Sequence, residues 1–294
     1  MSFTISPYFG QTVVAEVLAN SGALAWLSQQ FQIQLGNPRP GYEGNITLRI
    51  ATSAAAQTAS STAILGANGA NTTVTLTGKT VISIPWEVQE HQLDALEVSG
   101  MDLAPYMLLC ASECMLAVQN DFIADAKAAT ATVTSTLTTG QARFHAESAV
   151  EQLDNEEKLW LAIAPVLARK NGDFGKVAIF METSSFARFM AGRAFAVQET
   201  KLQQKDGMFQ FFGIPIFTIP GDETDSNGAV NWGEVSQPCA FVLGWEGYGL
   251  RMSTMPPTRI VEEPDNFTRM KCKLPYWHGV AQETLLGEVI SGSS

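Results

Sequence analysis

Residues 45–50 alternate between polar and apolar, which places Ile46, Leu48 and Ile50 on one face of a predicted strand. A second alternating run, Thr72–Ile84, puts Val74, Leu76, Ile82 and Ile84 on one face. The stretch Ala51–Gly78, which joins the two runs and includes the start of the second, holds no charged residue. Together they predict a long β-hairpin. From Gly41 to Pro85 each limb has about 22 residues, a reach of up to ~70 Å at ~3.3 Å per residue. A compact body of 294 residues has a radius of gyration of only ~19 Å, so such a hairpin projects from its own body unless it folds back. The Ala/Ser/Thr/Asn/Gly composition also suits a disordered surface insertion.

Before the hairpin, residues 1–36 form a predicted N-terminal arm with one short amphipathic helix. Its apolar positions are Val13, Val14, Val17, Leu18, Leu24, Trp26 and Leu27, and Gly22 interrupts them. Asn37–Gly41, with two prolines, is an extended turn. After the hairpin, apolar positions at 3–4 spacing predict a long helix over Asp102–Ala129, roughly 40 Å at 1.5 Å per residue. Leu103, Met107, Cys110, Cys114, Ala117, Asp121 and Phe122 carry the spacing. Asp102 is placed to cap it, with Pro105 in the first turn. Thr130–Thr139 then reads as a linker.

Ser148 and Glu151 make a capping box in front of a helix carrying Leu153, Trp160, Leu161 and Leu167, which Pro165 is expected to kink or shorten. Val177–Phe180 is a predicted buried strand, followed by a helix capped by Thr183 or Ser184 and bearing Phe186, Phe189 and Met190. Gly207–Gly221 holds two short strands joined at Gly213, and a polar loop, Asp222–Asn231, follows. Ala240–Leu250, Thr258–Val261, Phe267–Leu274 and Gly279–Leu286 alternate between strand and turn. No internal repeat is visible.

Composition narrows the function. Apolar residues make up 46% and charged residues 16% of the chain, which is a globular balance. A net charge of −11 disfavours gripping nucleic acid through its phosphates, yet it suits a wall that encloses nucleic acid without holding it. Val13–Leu35 lacks a basic flank before it and is broken by Asn20-Ser21-Gly22, so it fits neither a signal peptide nor a membrane span. The sequons at Asn45, Asn71 and Asn266 matter only in a secretory pathway. Cys110, Cys114, Cys239 and Cys272 form no paired motif, and the first two, at i and i+4, fit better as packing residues in a reducing cytoplasm.

The motifs that carry chemistry elsewhere fail here on context. Gly78-Lys79-Thr80 resembles the end of a phosphate-binding loop, but five residues earlier stands Thr73, not glycine, and a strand follows where a helix is required. Gly244-Trp-Glu-Gly-Tyr-Gly249 lacks dinucleotide spacing and fits a tight, bulged β connection. Asp121 and Asp125 place two carboxylates on one helix face, with no histidine near in sequence, and fit the polar or inter-subunit face of a long helix. His91, His145 and His278 are scattered. No catalytic, cofactor-binding or metal-binding residue is assigned.

Taken in order, these elements resemble the major capsid proteins of tailed bacteriophages with the Hong Kong 97 fold, an α+β architecture, from about Gly36 to Ile290. Three stretches carry the likeness. Val81-Ile-Ser-Ile-Pro-Trp-Glu87 with the helix 102–129 is similar to the returning limb of the family's extended loop entering its spine helix. Lys176–Met190 with Phe211–Phe217 resembles strand, helix and strand of the axial domain, and Phe241–Leu250 through Gly279 resembles the chain's return to the peripheral sheet. The resemblance implies an N-terminal arm at 1–36 and an extended loop at 37–85. It implies a peripheral domain at 86–148, an axial domain at 149–240, return strands at 241–290 and a tail at 291–294.

The implied function is self-assembly, through pentamers and hexamers, into an icosahedral virion shell. That shell is built in the host bacterial cytoplasm around double-stranded DNA, with no sequence-specific DNA binding and no membrane. The loop segment Ala51–Gly78 contains no lysine and Lys79 lies in the returning strand, so the lysine–asparagine cross-link of some members is not expected. With about 36 residues ahead of the hairpin, scaffolding is expected from a separate protein, beside portal and cement proteins. Two rivals stand against this: an encapsulin-like compartment, and an α+β enzyme with an inserted loop. A tail-tube or decoration protein fits less well, lacking a spine helix with an intervening α/β domain.

Overall fold

The computed structural model describes residues 9–31, 44–51, 71–89, 104–137, 144, 148–192, 202–205, 208–221, 232, 236–253, 258–262 and 267–292. In chain order the helices are α1 (Phe9–Asn20), α2 (Gly22–Ser28), α3 (Ala104–Ala128), α4 (Ala149–Arg169) and α5 (Thr183–Gly192). The first strands are β1 (Ile46–Ala51), β2 (Asn71–Gln89), β3 (Val133–Thr136), β4 (Val177–Glu182), β5 (Leu202–Lys205) and β6 (Met208–Phe211). They are followed by β7 (Ile214–Ile219), β8 (Pro238–Gly244), β9 (Tyr248–Met252), β10 (Thr258–Glu262), β11 (Phe267–Val280) and β12 (Leu286–Ile290).

The two alternating runs pair as expected, antiparallel, with Ile46 opposite Leu76 and Ala51 opposite Asn71. Beyond Leu76 the same strand β2 changes partner and runs along β11, from Thr77 opposite His278 to Gln89 opposite Phe267. The hairpin is therefore a continuation of a five-stranded sheet, ordered β1-β2-β11-β10, with β9 beside the other end of β11. Leu48, Ile50 and Leu76 share one buried face with Phe31, Trp277 and Ala281. Ile82 is 51% exposed, because that face loses its cover once β2 leaves the hairpin, while Val81 on the opposite face packs into the main core. The tip of the hairpin and the expected cap Asp102 lie outside the described residues, as does the side chain of Ile84.

The second sheet has seven strands, ordered β3-β12-β8-β4-β7-β6-β5. All six residues of β4 are buried, as a strand covered on both faces must be. Val177, Ile179 and Met181 pack with α4 and α5, whereas Ala178 and Phe180 face α1, α2 and α3. Helix α3 lies between the sheets. Its Phe122 meets Phe180 of the second sheet at 4.8 Å and Tyr248 of the first at 5.0 Å, ring centre to ring centre. Cys110, Cys114, Val118 and Phe122 follow the expected spacing, all buried. One core thus joins the helix to both sheets.

Several local expectations are corrected by this packing. The segment 9–31 is two helices, not one, and Val13, Val17, Leu24 and Leu27 are buried in the chain's own core. Ser21 ends the first helix and caps the second, its hydroxyl accepting from Leu24 N. The Thr-rich linker contains β3, a parallel neighbour of β12, since β-branched residues suit a sheet edge. Pro165, expected to kink or shorten α4, stands one turn before its end at Arg169. Leu161, whose carbonyl it deprives of a partner, stands on the exposed face within reach of water. The capping box at Ser148 and Glu151 forms as predicted.

Helix α5 begins at Thr183 itself, and its cap is the preceding buried Glu182, whose carboxylate accepts from Ser184 N (2.7 Å) and Ser185 N (2.6 Å). The β6–β7 turn at Phe212-Gly213 has both residues at positive φ, 51° and 81°, the type I′ geometry of a two-residue hairpin. The Gly244–Gly249 stretch is a tight turn, but it crosses from one sheet to the other: β8 belongs to the seven-stranded sheet and β9 to the five-stranded one. Gly249 is required there, because a Cβ would stand 2.9 Å from the methyls of Leu76 in the hairpin. The boundary expected at 240–241 falls inside β8, and 241–290 does not all return to the first sheet, since β12 pairs with β8 and β3. Hydrogen bonding across distant chain segments, invisible to periodicity, decides those memberships.

Glu288 on β12 accepts from the Thr134 hydroxyl (3.2 Å), and burial raises its carboxyl above the ordinary value of 4.5. A raised acid favours the folded state below the unfolded value and opposes it as ionisation sets in. Glu288→Gln is therefore expected to raise the thermal midpoint at pH 7, with the difference closing below pH 4.5; melting curves at both pH values check this.

Candidate functional site

Among the described residues, charge and hydrogen-bonding groups converge between α3 and the first sheet. Asp121 and Asp125, one turn apart, face Lys79 of β2, Tyr248 of β9, and Tyr276 and His278 of β11. Strand alternation selects the last two: Tyr276 and His278 point to the helix, while Trp277 between them turns away to bond the Gly44 carbonyl at 2.6 Å. Register selects Lys79, which stands opposite Tyr276.

His278 is 4% exposed, with Nδ1 2.6 Å from Asp125 Oδ2. An ionised carboxylate only accepts, so Nδ1 carries the hydrogen. The other nitrogen, Nε2, is buried without a hydrogen-bond partner and lies 3.5 Å from Asp121 Oδ2. Tyr248 donates to Asp125 Oδ2 at 2.8 Å, Tyr276 donates to Asp121 Oδ2, and Lys79 Nζ is 2.5 Å from Asp121 Oδ1. Burial and then Asp125 push the Tyr248 phenol well above its ordinary range. Burial and then the bond to Asp121 raise Tyr276 likewise. Both phenols therefore stay protonated and act as donors.

Sequence reading singled out Asp121 and Asp125 as a pair on one face, and the structure supplies the histidine that sequence distance concealed. Tyr248, Tyr276 and Lys79 carried no signal, since their roles depend on register between strands far apart in the chain. The network is a set of mutually paired polar groups that ties α3 to the first sheet. No group of three or more His, Cys, Asp or Glu is arranged to hold a metal ion among the described residues. Gly78-Lys79-Thr80 lies within β2, a strand, as expected. Cys110, Cys114 and Cys239 are buried free thiols; burial raises Cys114 to about 12, and Cys239 also moves up. His91 and His145, and the side chain of Cys272, lie outside the described residues. A cleft of about 490 Å³ opens between the α1–α2 junction, α3 and the second sheet, lined by Met115, Phe186, Phe209 and Phe217 with no charged side chain.

A long helix shared by two sheets, with a two-stranded hairpin prolonging one of them, is the α+β fold of Hong Kong 97-type capsid subunits. The particular structures it resembles are phage and particle capsids. The capsid of Ralstonia phage GP4 superposes with a TM-score of 0.56 at 8% identity, over 87% of this chain and 86% of that one. The capsid of an empty GTA particle gives 0.54 at 11%, over 90% and 91%. The capsid of cyanophage P-SCSP1u gives 0.52 at 13%, over 90% and 89%. No protein-family model and no curated protein matches the sequence. No described helix is long and apolar enough to cross a membrane.

Proposed function

We propose that this chain is the major capsid protein of a tailed bacteriophage, a structural subunit that builds an icosahedral shell around double-stranded DNA. The observation that carries the reading is the likeness of fold over nearly nine-tenths of the chain to capsid structures. The surface supports it. Leu108, Leu109 and Leu116 stand out from α3 and Val150, Leu153 and Leu161 from α4, each at helical spacing and each at least 38% exposed. Apolar side chains aligned on an outer helix face mark surfaces that meet another protein. The net charge of −11 suits an inner wall that does not grip its contents.

The subunits meet in pentamers and hexamers, and the hairpin of one copy lies over the next. Scaffolding, portal and cement proteins are separate chains, and assembly takes place in the host cytoplasm. Size-exclusion chromatography with negative-stain microscopy of the purified chain tests the reading, with shells, rings or tubes expected. A monomer under all conditions argues for an enzyme, and native shells filled with one cargo protein argue for a compartment. Deleting Ser53–Asn71 is expected to preserve the circular dichroism spectrum and the melting transition while abolishing or weakening shell formation. Wild-type shell yield from the deletion removes the hairpin from the assembly mechanism.

A further inference from the structure

We propose that His278 is a proton-operated anchor that fastens the base of the hairpin to helix α3. Its position is the first ground. His278 pairs with Thr77, the residue at which β2 leaves β1 and joins β11, so it stands at the pivot between hairpin and body. The second ground is its unused nitrogen, buried, without a hydrogen bond, and 3.5 Å from the Asp121 oxygen that already accepts from Tyr276. The other oxygen of Asp121 holds Lys79, two residues further along β2.

The groups facing the imidazole are Asp121 and Asp125 from α3, Lys79 from β2, Tyr248 from β9 and Tyr276 from its own strand, with Cys114 of α3 close to Tyr276. Both phenols and the Cys114 thiol are raised, and stay neutral. Two carboxylates and one ammonium leave the site with a single negative charge when the imidazole is neutral. Taking up one proton from solvent cancels that charge and turns Nε2 into a donor aimed at Asp121. The helix then holds two adjacent strands through one carboxylate, from Nε2 of β11 and from Nζ of β2. Loss of the proton removes the first of these bonds and leaves an unbalanced carboxylate at the pivot. All the groups belong to one subunit, so the anchor operates with or without a shell.

Hydrogen–deuterium exchange on the purified full chain, corrected for the intrinsic pH dependence of exchange, tests this. Protection of the amides of Thr77–Ile82 is expected to rise roughly tenfold, the order of one hydrogen bond to a charged group, as pH is lowered across the range in which the protein stays folded. The amides of Val177–Met181, in the second sheet, serve as the reference and are expected to stay level. His278→Gln nearly fills the same space without titrating, and Asp121→Asn keeps an acceptor for Tyr276 without the charge. Either variant, once shown to be folded, is expected to lose the rise. A flat profile in the wild type overturns the proposal, and so does a rise of wild-type size in a folded variant.

Discussion

Asp125→Ala is expected to lower stability by about 2–5 kcal/mol, the cost of leaving two buried donors without an acceptor. Tyr248 Oη and His278 Nδ1 both give their hydrogens to Asp125 Oδ2, at 2.8 and 2.6 Å. Both residues are almost fully buried, Tyr248 at 1% exposure and His278 at 4%, so water does not reach them easily once the carboxylate is gone. The partial exposure of Asp125 itself, 26% for the side chain, keeps the figure below that of a fully enclosed ion pair. Asp125→Asn retains one acceptor oxygen and is expected to cost roughly half as much. Urea unfolding of the two variants and the wild type checks both the size and the order. A loss within ~0.5 kcal/mol for alanine, as for an ordinary surface change, would mean that the cluster has water partners and no structural weight.

Phe180→Ala is expected to cost about 3–5 kcal/mol, the range for removing an aromatic ring from a closed core. The ring has no exposed surface and stands among Phe122 of α3 at 4.8 Å, Phe217 of β7 at 5.6 Å and Trp26 of α2 at 5.8 Å. Those neighbours come from three different elements, none of which can follow the others into the gap, so the cavity persists. The expected signature has two parts: a lower midpoint in urea, and faster proteolysis of the N-terminal segment, whose Trp26 loses a contact. Phe212→Ala is the control. That ring sits on a turn, is 43% exposed and meets Trp160 and Phe211 at its edge, and its removal is expected to cost about 1–2 kcal/mol, clearly less than the loss of Phe180. Equal losses from the two substitutions would contradict the placement of the core.

These two expectations mark how far the sequence reaches. The hairpin strands, the long helix, the capping box at Ser148, the buried strand at Val177 and the turn at Gly213 were all legible, because each rests on local periodicity or local backbone chemistry. So was the pairing of Asp121 with Asp125 on one helix face. Phe122 and Phe180 both read as core, but nothing in their spacing says that they touch.

What failed was membership. The Thr130–Thr139 stretch read as a linker because four strand residues show no usable period, yet β12 recruits Val133–Thr136 from 154 positions away along the chain. The arm at the N-terminus read as one amphipathic helix, whose pattern says that it must cover something without saying what; α3 and the second sheet of the same chain are what it covers. Glu182 was overlooked as a helix cap, since a capping carboxylate one residue ahead of Thr183 is outvoted by the hydroxyls that follow.

The sequence by itself determined the kind and order of the elements, since period 2 and period 3.6 are written in neighbouring residues. It also determined the weak charge, and the order of elements sufficed for a resemblance to a capsid fold. Only the tertiary structure decided which strands share a sheet, that β2 serves hairpin and body in turn, and that His278 lies between two carboxylates. The reason is physical. Hydrogen bonds between strands and contacts across a core join residues from tens to more than a hundred positions apart, and their free energy depends on register and burial that no local window contains.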